Sequence, residues 1–171
     1  GLETEALRWR VLVDAPSSGP TNMAVDHALA ACSSPGEAVL RIYRWSRPTV
    51  SFGRNEPARD RYDPAAGRDA GIDFVRRPTG GRAVLHDREL TYAAILPLTR
   101  RGGLRATYGL INRGLMEALW SLGVPAVMAE ARGSLGDLNS GPCFDEPAPG
   151  EVTVAGRKLV GSAQARLEGA I

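Results

Sequence analysis

The chain has 171 residues, 43% of them hydrophobic, with 21 basic against 19 acidic side chains and a formal net charge of +2. That length and apolar content supply one core and a single domain. The near balance of charge gives no argument for a nucleic-acid partner, and the apolar runs are far too short to span a membrane.

Trp9 to Val13 is apolar and β-rich and reads as the first strand. The opening Gly1-Leu2-Glu3 carries no signal-peptide pattern. Ser17-Ser18-Gly19-Pro20 is a turn, and Thr21 is placed to cap a helix from Asn22 to Ala31, with His27 packed or facing solvent and Cys32 at its end as a structural residue. Val39 to Trp45 and Pro48 to Phe52 read as strands. Gly53-Arg54-Asn55-Glu56-Pro57 is a polar loop, Pro64 to Ala70 a short helix, and Ile72 to Val75 a further strand. Ala83 to Leu85 and Leu90 to Leu98 are the next strands. Ala106 to Leu122 is the clearest helix: Leu110, Ile111, Leu115, Leu119 and Leu122 form one stripe, and Gly123 suits its end. Val124 to Met128 is a strand, and Ala131 to Pro149 a long loop. Glu151 to Ala155 and Lys158 to Ala165 form a hairpin around Gly156-Arg157. The 20 glycines and 12 prolines fit a turn-rich α/β or α+β chain rather than a helical bundle.

The segment between the fourth and fifth strands, Arg76-Arg77-Pro78-Thr79-Gly80-Gly81-Arg82-Ala83-Val84-Leu85-His86-Asp87, sets three arginines around a glycine pair. Adjacent glycines let backbone approach a ligand closely. Arginines beside them supply fixed donors for a thioester oxygen, phosphate or carboxylate. A Gly-Gly pair is also ordinary hairpin punctuation, and both readings stand at this point.

Two further residues carry possible chemistry. Cys143 lies in the long loop, in Ser140-Gly141-Pro142-Cys143-Phe144-Asp145. Loops of that length in a compact domain are often functional, although most free cysteines are small buried hydrophobes. A nucleophilic cysteine needs a cation or histidine to favour its thiolate; the candidates are Lys158, Arg76, Arg77, Arg82 and His86. Lys158 opens Lys158-Leu159-Val160-Gly161-Ser162-Ala163-Gln164, whose small side chains leave room for a substrate, against the alternative of a solvated strand lysine. Cys32 and Cys143 show no CxxC pair or disulfide framework, which fits a reducing cytoplasm. With His27 and His86 they have no metal-site spacing, so no metal is expected.

These segments together resemble the biotin/lipoate A/B protein ligase family. The stretch Arg76 to Asp87 is similar to its RR-x-[ST]-GG-x-AV-x-HD motif. Gly156-Arg157-Lys158-Leu159-Val160-Gly161-Ser162-Ala163 is similar to its second motif, and Asn22-Met23-Ala24-Val25-Asp26 to its N-terminal helix. Tyr43-Arg44-Trp45 with Pro48-Thr49-Val50-Ser51-Phe52-Gly53 resembles the strand pair that follows. Arg82, where ligases usually carry a third glycine, and Cys143-Phe144-Asp145 point within that family to the octanoyltransferase branch.

The resemblance implies an α+β fold, a mixed β-sheet flanked by helices, related to biotin ligase and class II aminoacyl-tRNA synthetase catalytic domains. It implies a single catalytic domain truncated at its C-terminal end. It also implies transfer of an octanoyl group from octanoyl-acyl carrier protein to a lipoyl-domain protein such as the glycine cleavage H protein. Cys143 and Lys158 are then the catalytic residues. Arg77, Gly80, Gly81, Arg82, Ala83, Val84, His86, Gly161, Ser162 and Ala163 contact substrate, with Val84, Leu85 and Ala163 walling the acyl chain. No cofactor is required, because a thioester is already activated. An ATP-dependent lipoate or octanoate ligase, a lipoyl-domain amidotransferase and a non-catalytic binding module are the alternatives.

Overall fold

A computed structural model describes residues 7–58, 62–97, 103–129, 151–167 and 170. Its elements run β1 (Arg8–Val13), α1 (Gly19–Ala31), β2 (Glu37–Tyr43), β3 (Thr49–Phe52), α2 (Pro64–Asp69), β4 (Asp73–Arg76), β5 (Val84–His86), β6 (Thr91–Ile95), α3 (Gly103–Ser121), β7 (Val127–Met128), β8 (Val152–Val154) and β9 (Arg157–Val160). The strands form three sheets, ordered β1-β2-β6, β4-β3-β5 and β7-β8-β9. The first two are mixed: β1 runs parallel to β2 and β4 to β3, while β6 and β5 run antiparallel to those central strands. The third is antiparallel. This is the expected α+β architecture of mixed sheet and helices.

Each parallel pair is joined by a helix, as the geometry of parallel connections demands. Helix α1 starts earlier than Asn22. Ser18, in extended backbone at φ −66° and ψ 157°, caps it, its hydroxyl accepting from Thr21 N at 3.4 Å, with Pro20 in the first turn. Thr21 therefore lies inside the helix rather than capping it. Cys32 is exposed and takes the C-cap, its N–H donating to Ala28 O at 2.9 Å, and His27 is exposed. Asp63 caps α2 by accepting from Ala65 N and Ala66 N.

Three expected boundaries move. Helix α3 begins at Gly103, ahead of Ala106, and β6 ends at Ile95. The hairpin strand expected to run to Ala165 stops at Val160, and residues 161–166 follow in irregular backbone. The hairpin turn itself falls on Ala155 (φ 49°) and Gly156 (φ 75°), one residue earlier than expected. Two consecutive positive-φ residues give the primed turn whose twist matches a hairpin.

The apolar core lies where Ala30 of α1, Val39 of β2 and Ile95 of β6 meet Ala170, with Leu12, Leu29, Ala93 and Leu167 packed around them. Ala170 also bridges Pro97 in the antiparallel sense. Next to this core lies a buried charge. Arg41 of β2, 1% exposed, donates to Asp14 Oδ2 at 2.6 Å, Asp26 Oδ1 at 2.7 Å, and to Asn22 through its backbone oxygen (3.1 Å) and Oδ1 (2.9 Å). Its guanidinium lies 4.0 Å over the Tyr43 ring, and Tyr43 Oη donates to Asp26 Oδ2 at 3.0 Å. Asn22 in turn donates to Ser17 O and Arg44 O. The Asn22 and Asp26 positions of the N-terminal helix motif thus pin α1 to the sheet. Burial pushes the Asp26 carboxyl up, more than the bonds from Arg41 and Tyr43 pull it down. The same carboxylates hold Arg41 charged against the opposing pull of burial.

Candidate active site

The arginine–glycine segment is not a hairpin. Strands β4 and β5 lie on opposite sides of β3, so residues 77–83 cross over the end of that strand. The crossing is close: a Cβ on Gly53, just past β3, would lie 1.8 Å from Gly81 O. Gly81 itself has φ +93°, in the region that favours glycine. The close approach described at Gly53 is to the protein's own backbone.

Arg76 is exposed and Arg77 half-buried, and both fold back onto backbone carbonyls. Arg76 Nη1 donates to the carbonyls of Gly53 (2.6 Å), Arg54 (3.2 Å) and Glu56 (3.0 Å), fixing the polar loop after β3. Arg77 reaches further. Its Nη1 donates to Ser51 O (2.8 Å) and Ser51 Oγ (3.1 Å), and its Nη2 to Gly80 O and Arg82 O, both at 2.8 Å. One guanidinium thus spans β3 and both ends of the glycine pair, which a planar fork does well and a lysine does poorly. Arg82 and Ala83 are half-buried.

Behind Arg77 stands His86. Its Nε2 lies 2.7 Å from Ser51 Oγ and its Nδ1 2.5 Å from Glu89 Oε1. Thr91 Oγ1 donates to the same Glu89 oxygen at 2.9 Å, and Trp45 Nε1 donates to Thr91 Oγ1 at 2.8 Å. The Trp45 ring stacks on His86 with centroids 4.3 Å apart. Burial pushes the Glu89 carboxyl up, but the hydrogen bonds from His86 and Thr91 outweigh it and hold Glu89 below its ordinary value. Sequence reasoning had picked out His86 and Arg77 but not Ser51, Glu89, Thr91 or Trp45. The available signal was Glu89 three residues after His86.

On β5, register sets Val84 against Ser51 and His86 against Thr49, with Leu85 against Val50. Successive strand residues point to opposite faces. Val84 and His86 therefore share the inner face, and Leu85, 60% exposed, takes the other. The expectation that Val84 and Leu85 wall the same acyl chain is corrected: alternation puts a sheet between them.

Lys158 lies on β9 with its side chain 2% exposed, and its Nζ is 2.8 Å from Glu151 Oε1, itself 8% exposed. The solvated-lysine alternative is excluded. Burying both charges is costly unless they are paired, and here they are. A carboxylate at that range cancels much of the ammonium's field at a distance, so Lys158 is best suited to act as a directed N–H donor at contact range. Ser162 Oγ lies 2.5 Å from Tyr92 Oη of β6. The Gln164 amide sits against α3; oriented to satisfy both groups, its nitrogen donates to Leu104 O at 2.8 Å and its oxygen accepts from Tyr108 N at 2.9 Å. Gly161 and Ala163, on either side of Ser162, are exposed. The two motif regions thus attach to neighbouring residues of β6, Thr91 and Tyr92. Cys143 lies outside the described residues. Among those described, no three His, Cys, Asp or Glu side chains converge as a metal site, and no helix is long and apolar enough to cross a membrane.

This architecture is the fold of lipoate-ligase-type catalytic domains. Two solved structures share the fold. A T. acidophilum protein described as a lipoate protein ligase, with lipoic acid bound, superposes with a TM-score of 0.76 at 24% identity, covering 96% of this chain and 65% of that one. Lipoate-protein ligase A bound with ATP gives 0.71 at 24% identity, covering 96% and 64%. Residues 18–171 match the family of lipoyl protein ligase A/B catalytic domains, and the chain belongs to that family. Among its relatives, octanoyltransferase LipM of Kyrpidia tusciae is 44% identical over 95% of this chain and 63% of its own length. The LipM of Carboxydothermus hydrogenoformans is 42% identical over 92% and 60%. The chain therefore spans a little under two thirds of these relatives.

Proposed function

We propose that the protein of which this domain is the described part is an octanoyltransferase of lipoate biosynthesis. It moves an octanoyl group from octanoyl-acyl carrier protein to a lysine of a lipoyl-domain protein such as the glycine cleavage H protein. The observation that carries the reading is the similarity, at 44% and 42% identity across nearly the whole chain, to octanoyltransferases of two organisms. The buried, carboxylate-held Lys158 supports it chemically.

In this reading Cys143 is the nucleophile. Cys143 attacks the donor thioester carbonyl as its thiolate, the acyl–cysteine thioester forms as the carrier C–S bond breaks, and the proton shed by the Cys143 thiol goes to the departing carrier sulfur. The acceptor lysine amine then attacks that thioester; the amide forms as the acyl–cysteine C–S bond breaks, and the amine proton goes to the Cys143 sulfur. Lys158 donates to the acyl carbonyl, and its charge favours the Cys143 thiolate at contact range. Backbone N–H groups near Gly80-Gly81 or Ser162-Ala163 stabilise the oxyanion, each worth on the order of 3 kcal/mol. Burying roughly seven methylenes at ~0.8 kcal/mol each selects chain length. The Arg77, Gly80, Gly81, Arg82, Ala83, Val84 and His86 group shapes one side of the site, and Gly161, Ser162 and Ala163 another.

The test is intact-protein mass after incubation with octanoyl-acyl carrier protein. The wild type should gain one octanoyl group, removable by hydroxylamine, and Cys143→Ser should gain none. An octanoyl adduct on Cys143→Ser, or octanoate-dependent ATP–pyrophosphate exchange by that variant, would overturn the reading in favour of an ATP-dependent ligase.

A further inference from the structure

Ser51, His86 and Glu89 have the spacing of a hydroxyl–imidazole–carboxylate triad, with contacts of 2.7 and 2.5 Å. Ser51 is 1% exposed and already accepts from Arg77, so no substrate carbonyl reaches it. The constellation faces inward, and its far end is the glycine loop.

The direction of each bond follows from the donor and acceptor inventory. The Arg77 guanidinium only donates, so Ser51 Oγ accepts from it, and the buried Ser51 proton needs an acceptor of its own, which among the described contacts is His86 Nε2. An ionised Glu89 only accepts, so His86 Nδ1 carries the proton on that side. Thr91 donates to Glu89, and Trp45 donates to Thr91. Every bond from Arg77 to Glu89 runs one way, and Trp45 and Thr91 close the chain from the other end. Only the Nδ1–H form of a neutral imidazole satisfies it, the reverse of the form free imidazole prefers.

We propose that Glu89 is a positioning residue for the acyl-transfer site: through His86 and Ser51 it fixes the Arg77 fork that holds Gly80 and Arg82, and so sets the glycine loop. The proposal rests on the octanoyltransferase reading only for its effect on turnover. With Glu89 removed, His86 reverts to Nε2–H, that N–H points at Ser51 Oγ, and the Ser51 proton loses its acceptor. The fork keeps its bond to Ser51 O, but its bond to the hydroxyl weakens as Ser51 turns to place the stranded buried proton, and the loop held by the other arm shifts.

The experiment is nitrogen NMR of the histidine rings, with steady-state acyl transfer measured in parallel. The chain has two histidines, and exposed His27 supplies the reference signal. His86 in the wild type is expected as the Nδ1–H tautomer. Glu89→Ala should convert it to Nε2–H, move the amide signals of Gly80, Gly81 and Arg82, and raise KM for the acyl donor about tenfold with kcat within about twofold, the effect of losing one well-placed hydrogen bond. Glu89→Gln, whose amide oxygen still accepts from Nδ1, should rescue tautomer, loop signals and KM together. Ser51→Ala guards against a Glu89→Ala that fails to fold: it should move the loop signals while His86 keeps Nδ1–H. An Nε2–H wild type overturns the proposal, as do loop signals unmoved in either alanine variant. Loss of the Cys143 adduct result sinks the octanoyltransferase reading while leaving the tautomer and loop results standing.

Discussion

Two arginines organise this domain, and they do so in opposite ways. Arg41 sits under α1, closed off from water, and spends its donors on two carboxylates and the Asn22 side chain and backbone. Arg77 sits under the glycine crossover and spends the donors described on three backbone carbonyls and one hydroxyl. The first arrangement is an ion-pair cluster whose failure strands buried charge. The second is a neutral-acceptor brace that a small change elsewhere can re-aim. The contrast teaches that Arg41 holds the fold while Arg77 holds the shape of one loop.

The largest way to break that contrast is Arg41→Met, which keeps much of the volume and leaves Asp26 without its partner. A loss of about 3–5 kcal/mol is expected from urea unfolding, as for other broken buried pairs. An unchanged midpoint would show that the cluster contributes nothing net. Gly53→Ala strikes the other region, because its Cβ would overlap Gly81 O. The expected cost is smaller, about 1–3 kcal/mol as for overpacking, while acyl transfer should fall out of proportion to it. Equal losses of stability and activity would count against a loop-specific role.

The two regions should also respond oppositely to acid. Glu89 is held below its ordinary value of 4.5, so the stability it contributes is present above that value and lost as pH falls through its lower folded value. Asp26 is raised above 3.8, so the folded state takes up its proton first, and stability gains relative to neutral pH as pH falls through that raised value. The stability gap between wild type and Glu89→Gln should shrink on acidification, whereas the Asp26→Asn comparison should move the other way. Parallel pH profiles for the two variants would remove the distinction. The smallest effect belongs to Leu85→Ala on the exposed face of β5. It should change stability by less than about 0.5 kcal/mol, and a larger loss in acyl transfer than Val84→Ala would mean that the outer face binds the chain.

Much of the fold was legible because it is written locally. The stripe Leu110, Ile111, Leu115, Leu119 and Leu122 marked α3, and Pro64 marked the start of α2, where the structure adds the Asp63 cap. The errors were also local in origin. The small residues Gly161-Ser162-Ala163 and the Gln164 after them read as strand, but Ser162 bonds through its hydroxyl to Tyr92 and the Gln164 amide sits against α3 rather than in a ladder. The Val84 and Leu85 pair read as one apolar wall, because apolarity alone does not say which face of a strand a residue takes.

By itself, the sequence determined the family motifs, the order of helices and strands, and the choice of Lys158 as a residue too well placed for solvent. Those are properties of neighbouring residues, carried by periodicity, caps and turn chemistry. Tertiary structure alone decided that β3 runs between β4 and β5, which made the glycine pair a crossover instead of a hairpin. It alone decided that Arg77, Ser51, His86 and Glu89 join in one directed chain, and that Glu151 closes on Lys158. It also brought Arg41 to Asp14 and Asp26. These contacts depend on which strands lie side by side and on the hairpin's register, and no local pattern encodes that.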